Sequence, residues 1–212
     1  MLLGAHVSIA GGVENAPPRA TAIGADVMQI FSKNQRQWKA SPLSRENIDG
    51  YKKGIEAAEL GPTLVHCSYL LNCASADDAA WTKSWKGLQE EIERADALGV
   101  PYLTFHPGSP SDKGADWGCK RVGEAVTNAL EAAKGATTMV LLETNAGQGN
   151  AVGRTFPELA AMRDVVPATL RKRLGVCFDT CHVFVSGYPI HTEEGYAVTL
   201  DSFETEIGLE GL

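Results

Sequence analysis

No run of apolar residues in this 212-residue chain approaches the roughly 20 needed to cross a bilayer, which excludes a membrane-spanning helix of ordinary length. The N-terminus, MLLGAHVS, lacks the basic flank and long apolar stretch of a secretory signal, so the protein is expected to be cytoplasmic. Basic residues are too few for a nucleic-acid coat. With 19 Lys and Arg against 26 Asp and Glu the net charge is −7, so any contact with a polyanion must be local or carried by bound cations. The five cysteines (Cys67, Cys73, Cys119, Cys177, Cys181) are odd in number, and several sit in apolar strand-like runs. That pattern excludes a disulfide framework and points to reduced, buried thiols. A second cysteine pair is missing, which argues against a cysteine-based metal site at Cys177 and Cys181. The glycine-rich NAGQGNAVG segment has the wrong spacing for a dinucleotide fingerprint and suits close backbone approach by a substrate.

What is present is a repeating rhythm. Strand-like segments at 2–8, 26–31, 63–68, 102–108, 139–145 and 175–182 alternate with helical ones near 13–24, 44–60, 77–98, 117–135, 156–166 and 193–207. In the longest helical stretch Trp81, Trp85, Leu88, Ile92 and Ala95 recur at helical spacing. Six βα units in strict alternation predict one domain over residues 1–212 with a parallel sheet covered by helices.

Metal-ligand residues recur at one address in that rhythm. His66 closes TLVHCS, His106 lies in YLTFHPG, Glu143 in MVLLETN, and Asp179 with His182 in GVCFDTCH, at steps of 40, 37 and 36 residues. Alternation along a strand puts His106 on one face with Thr104, Glu143 with Leu141, and Asp179 with Cys177, while Leu103, Phe105, Leu142, Val176 and Phe178 face the other way. Each ligand candidate immediately precedes a turn, so all five gather at the carboxyl end of the sheet, the functional rim of a β/α barrel. One such His is an ordinary hydrogen-bonded turn residue. A single buried Glu ordinarily pairs with Lys or Arg, but no cation precedes Glu143 in its own strand, and an uncompensated buried carboxylate is costly. Five together favour a metal site of mixed nitrogen and oxygen donors, which suits zinc.

Six motifs in register then carry a specific resemblance. GAHVSIAGGVENA (4–16), FSKNQRQW (31–38), HCSYLLNCAS (66–75), FHPGS (105–109), LLETNAGQGNAVG (141–153) and CFDTCHVFVSGY (177–188) closely resemble the endonuclease IV family, also called deoxyribonuclease IV, the zinc-dependent apurinic/apyrimidinic endonucleases. The resemblance implies a TIM barrel of the xylose-isomerase-like type. It also implies a cluster of zinc ions, usually three, and double-stranded DNA containing abasic sites as substrate, with no membrane partner and a monomeric state. It implies incision 5′ to the abasic site by zinc-activated water, leaving a 3′-hydroxyl and a 5′-deoxyribose phosphate. On the matching motif positions His66, His106 and Glu143 look like ligands of the first zinc. Glu143 also looks like a bridge to the second, Asp179 like a ligand of the second, and His182 like one of the third. Glu143 is thereby the candidate catalytic residue.

Arg36, in a loop with Lys33 and Lys39 nearby, reads as a small positive patch, and Tyr69 and Leu70 follow shortly after His66 in HCSYLLN. In an arbitrary protein these would be a solvated face and two loop anchors. The resemblance makes Arg36, Tyr69 and Leu70 the DNA-contacting residues, wedges at a lesion where unstacking costs least. His6 can face the site or serve as a turn residue, and His191 is expected to be exposed.

A complete barrel has eight units in about 250 residues, whereas this sequence offers six. In the family the remaining units carry further ligands. A six-unit piece is therefore expected to bind metal best at His66, His106 and Glu143, to hold fewer ions, and to be weakly active or inactive alone. Two other readings remain: a metal-dependent sugar isomerase or epimerase of the same fold, and a protein that binds abasic DNA without cutting it.

Overall fold

In the computed structural model, which describes residues 1–212, six strands form a single sheet: β1 (Gly4–His6), β2 (Val27–Phe31), β3 (Thr63–His66), β4 (Tyr102–Phe105), β5 (Met139–Glu143) and β6 (Leu174–Cys177). Every neighbouring pair is parallel and the spatial order follows the chain order. An order without reversal winds one way around an axis, as in a β/α barrel, and differs from the doubly wound folds whose strand order turns back at a switch point. β1 and β6 are the two edges of the sheet.

Eight helices accompany the strands, the first six between strands and the last two after β6: α1 (Ala16–Ala22), α2 (Arg45–Ala57), α3 (Asp78–Leu98), α4 (Ala115–Ala132), α5 (Phe156–Val165), α6 (Ala168–Arg171), α7 (Thr180–Val185) and α8 (Glu193–Glu206). Local chemistry starts several of them. Ser44 and Asn47 form a reciprocal capping box on α2, and the side chains of Asp77, Thr155 and Thr192 accept from backbone N–H groups three residues on. Gly99 ends α3 in the left-handed conformation (φ 75°) that favours glycine.

The two faces of the sheet differ in burial. Met28, Ile30, Val65, Leu103, Phe105, Val140, Leu142 and Val176 point at the helices and are buried. The apolar stripe of α3 meets them with Leu88, Ile92 and Ala95, all fully buried, as the helical spacing predicts. On the other face Val27, Gln29, Leu64, Leu141 and Cys177 are only half-buried and Tyr102 is exposed. At the carboxyl end of this inner face Thr104, His66 and Glu143 are buried. The buried apolar core lies in the sheet–helix layer. Leu142→Ala is expected to cost about 3 kcal/mol, read as a lower urea midpoint with unchanged slope.

Several expectations need correction. The strands are shorter than the apolar runs; the first is three residues long instead of seven. Asp179 and His182 do not lie on a strand. β6 stops at Cys177, and Asp179 caps α7, its side chain accepting from the His182 N–H at 2.8 Å. A cap-forming carboxylate three residues before a partner amide competes with continued pairing, and the helix wins. The cysteines are all free, but only Cys67, Cys73 and Cys119 are buried; Cys177 lies on the open inner face and Cys181, on the first turn of α7, is exposed.

Candidate metal centre

Adjacent parallel strands in register deliver their last residues to one rim. His66 ends β3, His106 directly follows β4, Glu143 ends β5, and the cap of α7 brings Asp179 and His182 in from beyond β6. Pairing of Phe31 with His66 and of Glu143 with Cys177 sets their height along the axis. Glu143 is the hub. One of its oxygens lies 3.2 Å from His66 Nε2; the other lies 3.5 Å from His106 Nε2 and 3.4 Å from His182 Nδ1. His182 Nδ1 is also 3.7 Å from Asp179. Two donor sets result, His66–His106–Glu143 and Glu143–Asp179–His182, with one donor atom from each residue lying within 4.8 Å of the others in its set.

The hydrogen bonds around the rings fix their protons. His66 Nδ1 faces the Cys67 carbonyl oxygen at 2.7 Å, and a carbonyl can only accept, so Nδ1 carries hydrogen and donates. Nε2, the atom turned toward Glu143, then holds either a second proton or a lone pair. Two lone pairs at 3.2 Å repel, so a cation or a proton has to stand between His66 and Glu143. His182 likewise donates from Nδ1 to the Thr144 carbonyl at 2.8 Å, which leaves its Nε2 as the available donor. Thr104 sits beside Glu143, its hydroxyl 3.4 Å from the carboxylate.

Charge follows the same geometry. Burial disfavours a charged His66, yet its hydrogen bond and attraction to Glu143 outweigh this and raise it above the ordinary 6.5. His106 is lowered, mainly by burial, with His66 and His182 adding to the effect and Glu143 opposing it. Burial alone would raise Glu143, but the surrounding histidines hold it below its ordinary value. No Lys or Arg neutralises this buried carboxylate; its ionic partners are all imidazoles. Three histidines and a second carboxylate around buried Glu143, with nothing permanently cationic among them, are a donor set that fits a divalent ion.

Around these groups lies an open cavity of about 500 Å3, to which Gln29, Cys177 and Phe178 also contribute. Gln29 escaped the sequence reading although alternation with Phe31 on β2 would have placed it on the inner face. His6 is tied to it, Nδ1 lying 2.8 Å from the Gln29 amide nitrogen, and packs on Phe31 with ring centres 4.4 Å apart. His191 is exposed.

Tyr69 stands 62% exposed at the mouth, its ring centre 5.0 Å from that of His66 and 5.7 Å from that of His106. Leu70 beside it is half-buried and Arg36 is exposed on the neighbouring loop. Lys33 is a correction. It turns inward, 6% exposed, pairs with Glu90 at 3.1 Å and Glu91 at 3.7 Å, and donates to the Trp38 carbonyl. The positive patch thus reduces to Arg36 and Lys39, because two carboxylates of α3 compensate the lysine below the surface.

Comparison with known proteins bears on the whole chain. Residues 18–210 match the family model described as xylose isomerase-like TIM barrel. A probable endonuclease 4 of Chloroflexus aurantiacus is 42% identical over 206 residues, covering 97% of this chain and 72% of that protein. One from a Geobacter species is 41% identical over 211 residues, covering 74% of its length. The crystal structure of endonuclease IV from Thermus thermophilus superposes on all of this chain and 74% of that one, with a TM-score of 0.86 at 35% identity. A D-tagatose 3-epimerase-like protein shares the fold at a TM-score of 0.74 and 19% identity. No helix is long and apolar enough to cross a membrane.

Proposed function

This chain belongs to the endonuclease IV family of DNA-repair nucleases, within the xylose isomerase-like TIM barrels, and from that premise we propose that its histidine–carboxylate rim is a zinc centre for hydrolysing the phosphodiester 5′ to an abasic site. The observation that carries the proposal is the convergence of His66, His106 and Glu143, from three different strands, within 4.8 Å. His66 and His106 would hold the first ion through their Nε2 atoms, with Glu143 completing it and reaching across to a second ion shared with Asp179. The free Nε2 of His182, its other nitrogen engaged by Thr144, suits a third ion better than the second. Zinc, when bound, lowers the pKa of a water nucleophile to about 7 and neutralises charge developing on the phosphate.

The chain's own groups do the remaining work. The Cys67 and Thr144 carbonyls orient His66 and His182 and keep their Nδ1 atoms protonated, so each presents a lone pair at Nε2. Glu143, held as a carboxylate, supplies negative charge at the centre of the rim. Tyr69 and Leu70 would pack against the extruded abasic nucleotide and Arg36 would enter the duplex beside it. Such a wedge offsets unstacking with apolar contact; hydrolysis by water on the 5′ side of the lesion would then leave a 3′-hydroxyl and a 5′-deoxyribose phosphate.

The epimerase reading rests on a likeness below 20% identity, which concerns the fold alone. Incision of an abasic-site duplex before and after chelation, with the termini of the products identified, tests the proposal. Cutting on the 5′ side that is lost to chelator and restored by zinc is expected. Chelator-resistant cutting would sink the metal mechanism, turnover of a ketose would favour the epimerase, and abasic-DNA binding without incision would mark the chain as a binder.

A further inference from the structure

Glu91 lies in the apolar stripe of α3, one turn from Leu88 and Ala95, and is 1% exposed. A carboxylate there needs a reason beyond stability, since a well-packed apolar residue in place of a buried ion pair is commonly neutral or stabilising. Its contacts supply one. One oxygen accepts the Ser32 hydroxyl at 2.5 Å. The other accepts the Ser68 backbone N–H at 3.3 Å and pairs with Lys33 at 3.7 Å. Ser32 and Lys33 open the loop that bears Arg36; Ser68 opens the loop that bears Tyr69 and Leu70. The two loops are also joined directly, the Ser68 hydroxyl donating to the Gln35 carbonyl at 2.7 Å while accepting the Leu70 N–H at 3.3 Å. Arg94, one turn further along α3, fastens the first loop again through the Ser32 hydroxyl, the Ser32 carbonyl and the Ser41 carbonyl.

We propose that Glu91 is a positioning residue for lesion recognition: from behind the sheet it holds the Arg36 loop and the Tyr69–Leu70 loop in one fixed relation to the metal rim. The inference rests on the DNA-contacting role assigned above to Arg36, Tyr69 and Leu70, and deepens it. Glu91 touches neither DNA nor metal. Its effect is preorganisation, so that the wedge does not have to be ordered at the moment of binding.

Glu91→Gln tests it. The substitution keeps shape and one acceptor, and Lys33 retains Glu90 at 3.1 Å and the Trp38 carbonyl, so no buried charge is orphaned. The dissociation constant for a duplex with one abasic site is expected to rise about tenfold, equivalent to ~1.4 kcal/mol. That for the intact duplex and the zinc stoichiometry should stay unchanged. Amide exchange at Ser68 and Leu70 should accelerate while that of β3 does not. In the Glu91→Gln background, Tyr69→Ala should add less than it does alone, because both act through one loop. Ser68→Ala, which removes the hydroxyl bridge without disturbing α3, is expected to lose discrimination in the same direction.

Full discrimination in both folded variants, with Tyr69→Ala still damaging recognition, overturns this inference alone; so does strict additivity of Glu91→Gln and Tyr69→Ala. A harmless Tyr69→Ala in the parent protein overturns the DNA-contact reading, and the positioning role with it.

Discussion

Replacing Glu143 by alanine is expected to strip zinc from the rim and to lower incision of an abasic duplex by well over a hundredfold. That exceeds the ~10–100-fold typical for loss of an outer hydrogen-bond partner. The reason is its place in both donor sets: one carboxylate faces His66, His106 and His182 at 3.2 to 3.5 Å. No other side chain in the rim is shared in this way. Glu143→Gln, which keeps the shape and drops the charge, should lie close to the alanine variant if the negative charge is what matters. Metal-free stability should fall at low pH, where Glu143 holds the raised His66 proton, and should change less at pH values where the histidines are neutral and the substitution only removes a buried carboxylate. Calorimetric zinc titration, metal-free thermal unfolding and the incision assay separate these effects. A variant that binds zinc and cuts near the parent rate would remove the bridging role.

Acidification supplies the second large effect. Zinc affinity is expected to fall more than about tenfold between roughly pH 7.5 and 5.5, because a metal-bound imidazole must give up its proton. His66 goes first. Burial lowers its pKa, but Glu143 more than compensates and lifts it above 6.5, so as pH falls a proton competes with the ion for Nε2 earlier than at an ordinary imidazole. His106, pushed below 6.5 mainly by burial, stays neutral to lower pH and keeps its donor longer.

The metal-free protein should respond with the opposite sign. A raised His66 pKa contributes stability that is fully present below 6.5 and fades as pH rises through the folded value. The depressed Glu143 pKa contributes stability present above 4.5 and lost as pH falls through its folded value. The window in which both operate lies between those limits, with the lowered His106 opposing them as it takes up a proton. Zinc affinity measured by competition across the range, beside metal-free unfolding, checks both signs. An affinity flat in pH would mean that the histidines are not ligands.

Much of the rim is readable from local rules. Alternation along a strand gave His106 and Glu143 a face shared with Thr104 and Leu141, and the turns after them put both at the carboxyl end, so the convergence of distant segments followed from six βα units. The loops beyond β2 and β3 were readable in part. Tyr69, three residues beyond the end of β3, is exposed as expected, whereas Lys33 turned inward to carboxylates on α3, a pairing that no sequence period announces. The same gap hid Glu91, whose partner Ser32 lies 59 residues away; a lone carboxylate inside an apolar helical stripe was the only available sign. Asp179 and His182 were placed at the right rim on the wrong element, since strand and cap compete locally over a few residues and hydrogen-bond geometry decides.

By itself the sequence determined the alternating architecture, the face and end of the sheet that carry donor atoms, and the family. Those properties depend on periods of two and 3.6 residues and on turn chemistry, which act between near neighbours. Tertiary structure alone decided that Glu143 stands within reach of three imidazoles, which nitrogen of His66 and of His182 is engaged by a carbonyl, and that a buried carboxylate behind the sheet ties two rim loops together. These depend on distances between groups tens of residues apart, set only when helices and strands pack.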